Sequence, residues 1–249
     1  MPFTLATWNI NSVRLRESLV TRLMAEETPD ILCLQEIKSP VDLVPFDAFR
    51  ALGYTHMVAR GQKGYNGVAI LSKLPITDAG DRDYARLGHA RHVAARLDNG
   101  VTIHNFYVPA GGDIPDREQN VKFGQKLDFV TEMRDWAREE APAKSILVGD
   151  LNIAPREDDV WNHKALLKIV SHTPVEVEAL AAAQELDDDV FLVGGAQDGA
   201  ADGAGDLPAR GSFAEVAAVF HHDGHGNVLR RVERDVPHVR RSALGVLGG

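Results

Sequence analysis

From Phe3 to about Leu180 the chain alternates short apolar runs with amphipathic stretches, and this alternation restricts the fold to the α/β or α+β classes. Phe3 to Trp8 alternates as a strand does, and Ile31 to Leu34 is an unbroken apolar run suited to a strand buried on both faces. Between them, Val13, Leu19, Val20, Leu23 and Met24 recur at helical spacing, predicting a helix over Ser12 to Glu27. Tyr54 to Ala59, Gly67 to Leu71, His92 to Leu97 and Val101 to Tyr107 read as further strands. Asp98-Asn99-Gly100 is strong hairpin chemistry and predicts that the last two pair antiparallel. Arg117 to Glu140 is the longest helical stretch, followed by a short buried strand at Ile146 to Val148.

Past this point the pattern changes. Eleven of the 22 glycines fall in the last 60 residues, and Gly194 to Gly211 reads as a linker. Phe213 to Phe220 is compatible with one more strand or helix, and Asn227 to Arg241 is arginine-rich without caps or turn chemistry. The organisation expected is therefore a domain over residues 1–180 and a divergent, glycine-rich tail over 181–249.

The net charge of −9 is unevenly placed. Seven acids and no lysine or arginine lie between Leu180 and Ala209, while the remainder, with 27 basic and 29 acidic residues, is close to neutral. That balance weakens a general polyanion-binding role but leaves room for a metal-assisted phosphate site. No apolar run approaches the roughly 20 residues of a membrane helix, and the first residues carry no secretion signal, so a cytoplasmic chain is expected. Cys33, the one cysteine, sits in an apolar run and is expected to be a buried, inert thiol.

Three polar clusters stand directly after predicted buried strands: Asn9, then Glu36, then Asp150 with Asn152. Strand ends are where α/β sheets present their sites. Glu36 and Asn9 form a hard-oxygen pair of the kind that holds Mg²⁺, with Mn²⁺ the alternative. Any one of these positions alone is better explained as a cap on the following helix; their repetition is what favours chemistry.

The segments Trp8-Asn9-Ile10-Asn11, Leu34-Gln35-Glu36-Ile37-Lys38, Gly61-Gln62-Lys63-Gly64-Tyr65-Asn66-Gly67, Asn105-Phe106-Tyr107-Val108-Pro109 and Gly149-Asp150-Leu151-Asn152 occur in that order. Together they resemble the motif series of the exonuclease III family, the DNA-repair branch of the endonuclease/exonuclease/phosphatase superfamily. The resemblance implies a four-layered α/β sandwich, two mixed sheets flanked by helices, with the C-terminal part irregular or incomplete here. It also implies a Mg²⁺-dependent phosphodiesterase acting on double-stranded DNA as a monomer, with 3′ to 5′ exonuclease and abasic-site cleavage in base-excision repair. Glu36 matches the family's metal-binding glutamate and Asn9 the amide near that metal. Asp150 matches the aspartate that orients or deprotonates the attacking water, and Asn152 and Tyr107 match residues that contact the scissile phosphate. Lys63, Tyr65 and Asn66 lie on a glycine-flanked turn suited to gripping the DNA backbone, although a solvated turn accounts for Lys63 as well. His163-Lys164 resembles the family's region after the aspartate motif, and Arg86, Arg91 and His92 are weaker candidates to face DNA.

The chain departs from the family at its end. The Arg-apolar-Asp strand and the Ser-Asp-His motif are missing, and no Asp-His dipeptide occurs anywhere. His222-Asp223 is reversed, and Asp235-Val236-Pro237-His238 has the wrong spacing. Coding sequence read out of frame explains this composition best. It predicts a sheet short of C-terminal strands; a diverged tail that brings His222, His225 or His238 near Asp150 is the competing account. The same departure keeps open a DNA-binding homologue with impaired catalysis, or a phosphoesterase acting on a small phosphorylated substrate or lipid head group.

Overall fold

The computed structural model describes residues 3–141 and 144–184, with the backbone of 190–195, 218–222 and 228–231. Two mixed sheets stack face to face. The first has six strands in the order β11-β10-β1-β2-β4-β3, built from β1 (Phe3–Asn9), β2 (Ile31–Gln35), β3 (His56–Arg60), β4 (Val68–Ser72), β10 (Ala218–His222) and β11 (Val228–Arg231). The second has five in the order β5-β6-β7-β8-β9: β5 (Ile76–Gly80), β6 (His92–Leu97), β7 (Thr102–Tyr107), β8 (Ser145–Asp150) and β9 (Val190–Gly195).

Why the strands are so apolar follows from this stacking. On β2, Ile31 and Cys33 point between the sheets to meet Val93, Ile103 and Val148, while Leu32 and Leu34 point outward under α1 (Glu17–Glu26) and α2 (Phe46–Arg50). On the far side Phe106 and Leu147 pack against Phe129, Met133 and Trp136 of α3 (Val121–Glu139) and Leu180 of α5 (Pro174–Gln184). Each buried Leu, Ile or Phe contributes about 1.5–3 kcal/mol, and strands covered on both faces keep apolar side chains at consecutive positions. Helix, sheet, sheet and helix make the four layers expected.

The Asp98-Asn99-Gly100 turn joins β6 and β7 antiparallel, with Leu97 N–H on Val101 O at 2.9 Å and Gly100 at φ +86°. The first helix begins later than its apolar spacing suggests. Ser12 N–H and Val13 N–H instead bond Glu36 O (2.7 Å) and Ile37 O (3.1 Å), tying the loop after β1 to the loop after β2. Cys33 is fully buried and its burial pushes the thiol pKa up, in keeping with an inert role.

Regular structure does not end near Val190. Val190–Gly195, partly within the supposed linker, runs parallel beside β8, and Ala218–His222 pairs antiparallel with β1. Both sheets already present backbone edges there, and strand pairing with an open edge satisfies N–H and C=O groups with little demand on sequence pattern. His222 is paired with Phe3 and Ala218 with Thr7, so His222 lies at the opposite end of β1 from Asn9, about 20 Å away at strand rise. This register runs against the competing account in which the tail brings His222 near Asp150. His225 and His238 lie outside the described residues.

Candidate active site

Each sheet has a parallel pair near its centre, β1 with β2 and β7 with β8. Their C-terminal ends converge, carrying Asn9, Glu36, Tyr107 and Asp150, with Asn152 two residues beyond. A polar cross-link fixes the two sheets just beneath. Gln35 Nε2 donates to Asn105 Oδ1 (2.7 Å) and Thr7 Oγ1 (2.9 Å), while Asn105 Nδ2 donates to Leu34 O (3.0 Å) and Ala69 O (2.9 Å). Gly149 is required for the approach of β7: a Cβ there would lie 1.9 Å from Phe106 O, at a φ of +148°.

Asp150 is buried. Its Oδ2 accepts from Asn9 Nδ2 at 2.7 Å and its Oδ1 from Asn152 N–H at 3.0 Å. Burial raises its pKa to about 6 against the opposing pull of those two donors, and the Glu36 charge adds to the rise. Asn9 Oδ1 meanwhile accepts from Asn11 N–H at 3.1 Å. A reversed amide would set oxygen against the Asp150 carboxylate, so the chemistry fixes this orientation. Asn9 therefore holds the Asp150 carboxylate through its Nδ2, reaches Glu36 as well, and keeps its Oδ1 on Asn11 N–H.

Glu36 behaves oppositely. Burial works to raise its pKa, but hydrogen bonds from Lys38, Tyr107 and Asn9 and the Lys38 charge outweigh it and lower the pKa. Tyr107 donates its hydroxyl to Glu36 Oε1, and Lys38 Nζ reaches Oε2 at 2.7 Å and Asn11 Oδ1 at 2.6 Å. Burial and the Glu36 charge push the Tyr107 phenol well above its ordinary range, so it stays a neutral donor. Glu36, Lys38, Asn66 and Asn152 all adopt left-handed backbone, with φ between 48° and 51°. Such strain in side-chain-bearing residues concentrates at functional sites.

The glycine-flanked turn is pinned to the same place. Lys38 N–H bonds Asn66 O (2.9 Å) and Ile37 N–H bonds Gly67 O (3.1 Å). Asn66 is buried with Nδ2 on Gln62 Oε1 at 3.1 Å, so its side chain shapes the turn, whereas Lys63 and Tyr65 are exposed on it. His92 is buried against His104 and does not face outward, and Arg86 is exposed. His163, at the start of α4 (His163–Leu166), bonds His172 at 2.9 Å.

Arg91 gains a definite place. Its guanidinium lies 4.5 Å from the Tyr107 ring centre, with Nη1 on Tyr107 O at 3.1 Å. Its sequence spacing does not set it apart from other arginines, whereas Lys38 lies within the Leu34-Gln35-Glu36-Ile37-Lys38 segment. Among the described residues no three His, Cys, Asp or Glu side chains gather as a metal cage. The carboxylates of Glu36 and Asp150 are both reached by the Asn9 side chain, and carboxylate oxygens are the kind of donor a hard divalent cation takes.

The model of the endonuclease/exonuclease/phosphatase family matches residues 6–218. The chain belongs to this family. Among curated relatives, an exodeoxyribonuclease III of Haemophilus influenzae is 29% identical over 161 residues, 62% of this chain and 59% of that protein. An exodeoxyribonuclease of Bacillus subtilis is 30% identical over 171 residues, 65% and 63% of the two. The chain thus spans about three fifths of the curated relatives it matches. Among solved structures, an AP endonuclease from Archaeoglobus fulgidus superposes with a TM-score of 0.67 at 30% identity, covering 74% of this chain and 70% of that one. A Neisseria 3′ phosphatase bound to a product DNA hairpin gives 0.63 at 31% identity, covering 74% and 70%. These relatives agree with the exonuclease III branch that the motifs resemble. Among the described residues no helix is long and apolar enough to cross a membrane.

Proposed function

We propose that this chain is a divalent-cation-dependent DNA phosphodiesterase of exonuclease III type, with 3′ to 5′ exonuclease and abasic-site cleavage in base-excision repair. The observation that carries the reading is the convergence of Asn9, Glu36, Tyr107, Asp150 and Asn152 at four strand ends. Glu36, kept ionised by Lys38 and Tyr107, would hold Mg²⁺, or Mn²⁺ in its place, with Asn9 and Asp150 alongside. When bound, such an ion neutralises charge on phosphate oxygens and stabilises the leaving oxygen.

The chain's own groups supply the rest. Asp150, with both oxygens fixed by Asn9 and Asn152, acts as the base that orients and deprotonates water; a pKa of about 6 is close to the value that serves a base near neutral pH. Tyr107 is kept protonated and braced by Arg91; its one hydroxyl proton, held by Glu36 here, would turn to a phosphate oxygen when substrate binds, and the Asn152 amide would bind the same group. Exposed Lys63 and Tyr65 grip the duplex backbone, with Asn66 shaping their turn; such contacts set register without reading sequence. We place the protein in the cytoplasm as a monomer, a setting that suits its single buried reduced cysteine.

Cleavage of a labelled duplex bearing one abasic site, with Mg²⁺ and with EDTA, tests this against Glu36→Ala and Asp150→Ala. Metal-dependent incision lost in both variants is expected. A folded chain that binds the duplex yet does not incise it would establish the second reading, a DNA-binding homologue, which the missing Asp-His pair favours. We further infer that the glycine-rich sequence beyond residue 180 departs from the family through a frame shift, even though the family match runs on to residue 218 and strands there join both sheets; a single-base shift in the coding DNA that restores Ser-Asp-His would bear this out.

A further inference from the structure

Lys126 lies on α3 with its side chain fully buried, a rare place for an ammonium. Its Nζ meets Glu176 Oε1 at 2.5 Å, Asn152 O at 2.6 Å, Ala110 O at 3.2 Å and Ser171 Oγ at 3.4 Å. Glu176, equally buried, also accepts from Ser171 N–H, Thr173 N–H and the Thr173 hydroxyl. Every hydrogen of the ammonium is therefore spent on oxygen, and the carboxylate is saturated.

Fold stability does not explain such a pair. Replacing a buried ion pair by apolar groups of similar volume is often neutral or stabilising. What an ammonium does, and a methionine does not, is hold oxygens from separate segments at one point. Here those segments are the loop after β7, the loop after β8 and the entry to α5. The first two continue directly from Tyr107 and Asp150.

The loop after β7 is shaped around the lysine. Gly111 is left-handed, and a Cβ on it would stand 2.9 Å from Lys126 Cδ and 3.0 Å from Val170 Cγ1. Asn152 is in turn held at three points: its N–H on Asp150 Oδ1, its Nδ2 on Val108 O at 2.8 Å, and its carbonyl under Lys126. Released at the carbonyl, a left-handed asparagine has ordinary backbone conformations available to it.

We propose that the Lys126–Glu176 pair is a positioning device that fixes the backbone of Asn152, and with it the amide assigned to the scissile phosphate. The proposal rests on the phosphodiesterase reading of that residue. The pair acts through Asn152 and touches no substrate.

Lys126→Met alone strands a buried carboxylate and threatens folding, so the double variant Lys126→Met/Glu176→Gln carries the test, with Lys126→Arg as the conservative change. Two readouts are needed: hydrogen exchange across residues 108–112 and 151–154, and incision of the abasic-site duplex. Expected are a melting temperature near that of the parent and faster exchange confined to those segments. The kcat should fall by about 100-fold with KM nearly unchanged, and Lys126→Arg should recover part of it. Unchanged local exchange, a uniform rise across the chain, or faster local exchange with intact kcat each overturns the proposal. A parent chain that does not incise overturns the phosphodiesterase reading, and exchange alone then decides whether the pair holds Asn152.

Discussion

Asn9 and Asp150, 141 positions apart in the chain, share a 2.7 Å hydrogen bond in which the amide of one fixes the carboxylate of the other. The bond joins the two sheets at the strand ends and favours the ionised form of a group that burial would neutralise. Its loss affects both the strength and the pH dependence of any reaction Asp150 assists.

Asn9→Leu should therefore lower abasic-site incision by roughly 10- to 100-fold, the value of a hydrogen bond to a charged group. With Asp150 at about pKa 6 in the parent, activity falls below pH 6 as the base takes up its proton. Removing a donor to the charged form moves that limb to higher pH. A pH–rate profile of the variant whose acid limb stays in place, or moves down, would refute the assignment.

The cross-link beneath the site gives a stability prediction. Asn105 is fully buried and bonds Gln35, Leu34 O and Ala69 O. Asn105→Leu leaves the Gln35 amide and two carbonyls without that partner, at a cost of about 2–4 kcal/mol from unsatisfied buried groups. Urea unfolding should show a lower midpoint at unchanged slope; a midpoint equal to the parent's would mean that water or a repacked side chain satisfies those groups.

His92 and His104 stack with ring centres 5.4 Å apart and share a 3.2 Å contact between ring nitrogens, enclosed by Tyr84, Phe106 and Trp136. Burial lowers both pKa values, that of His104 to about 3. The unfolded chain takes up protons here from about pH 6.5 downward while the folded chain does not. Stability is thus fully present above pH 6.5 and is lost as pH falls toward 3, by up to about 1.4 kcal/mol per pH unit for each histidine. His104→Phe should flatten this slope in urea melts at pH 4.5 to 7; an unchanged slope would place the acid sensitivity elsewhere.

What could be read from the chain divides along physical lines. Strand ends with buried cores, such as Leu34-Gln35-Glu36, and the Asp98-Asn99-Gly100 turn carry local signals that tertiary structure did not override. The edge strand Ile76–Gly80 escaped because its residues are mostly exposed and show no apolar alternation. Helix α5 escaped despite a legible start: Thr173 and Glu176 stand at capping-box spacing with Pro174 at the first turn, and Glu176 does reach back to Thr173 N–H at 3.1 Å. Lys126 was unreadable, since a buried lysine on a helix looks in sequence like an exposed one. The amide orientation of Asn9 depends on Asp150, a partner that only the fold brings near.

Lys38 supplies the last prediction, because it holds the place a metal would contest. Its ammonium lies 2.7 Å from Glu36 Oε2, the carboxylate assigned to the cation, with side-chain exposures of 29% and 16%. A divalent ion at Glu36 must compete with that charge or be repelled by it. Exposed and half-exposed pairs of this kind are worth about 0.5–1 kcal/mol, so Lys38→Met should tighten Mn²⁺ binding by roughly twofold to fivefold. Glu36→Gln should abolish the tight site in either background. Titration of the metal alone, followed by Mn²⁺ paramagnetic resonance, measures this without depending on turnover. If Lys38→Met weakens binding instead, the lysine orients Glu36 for the ion and does not compete with it.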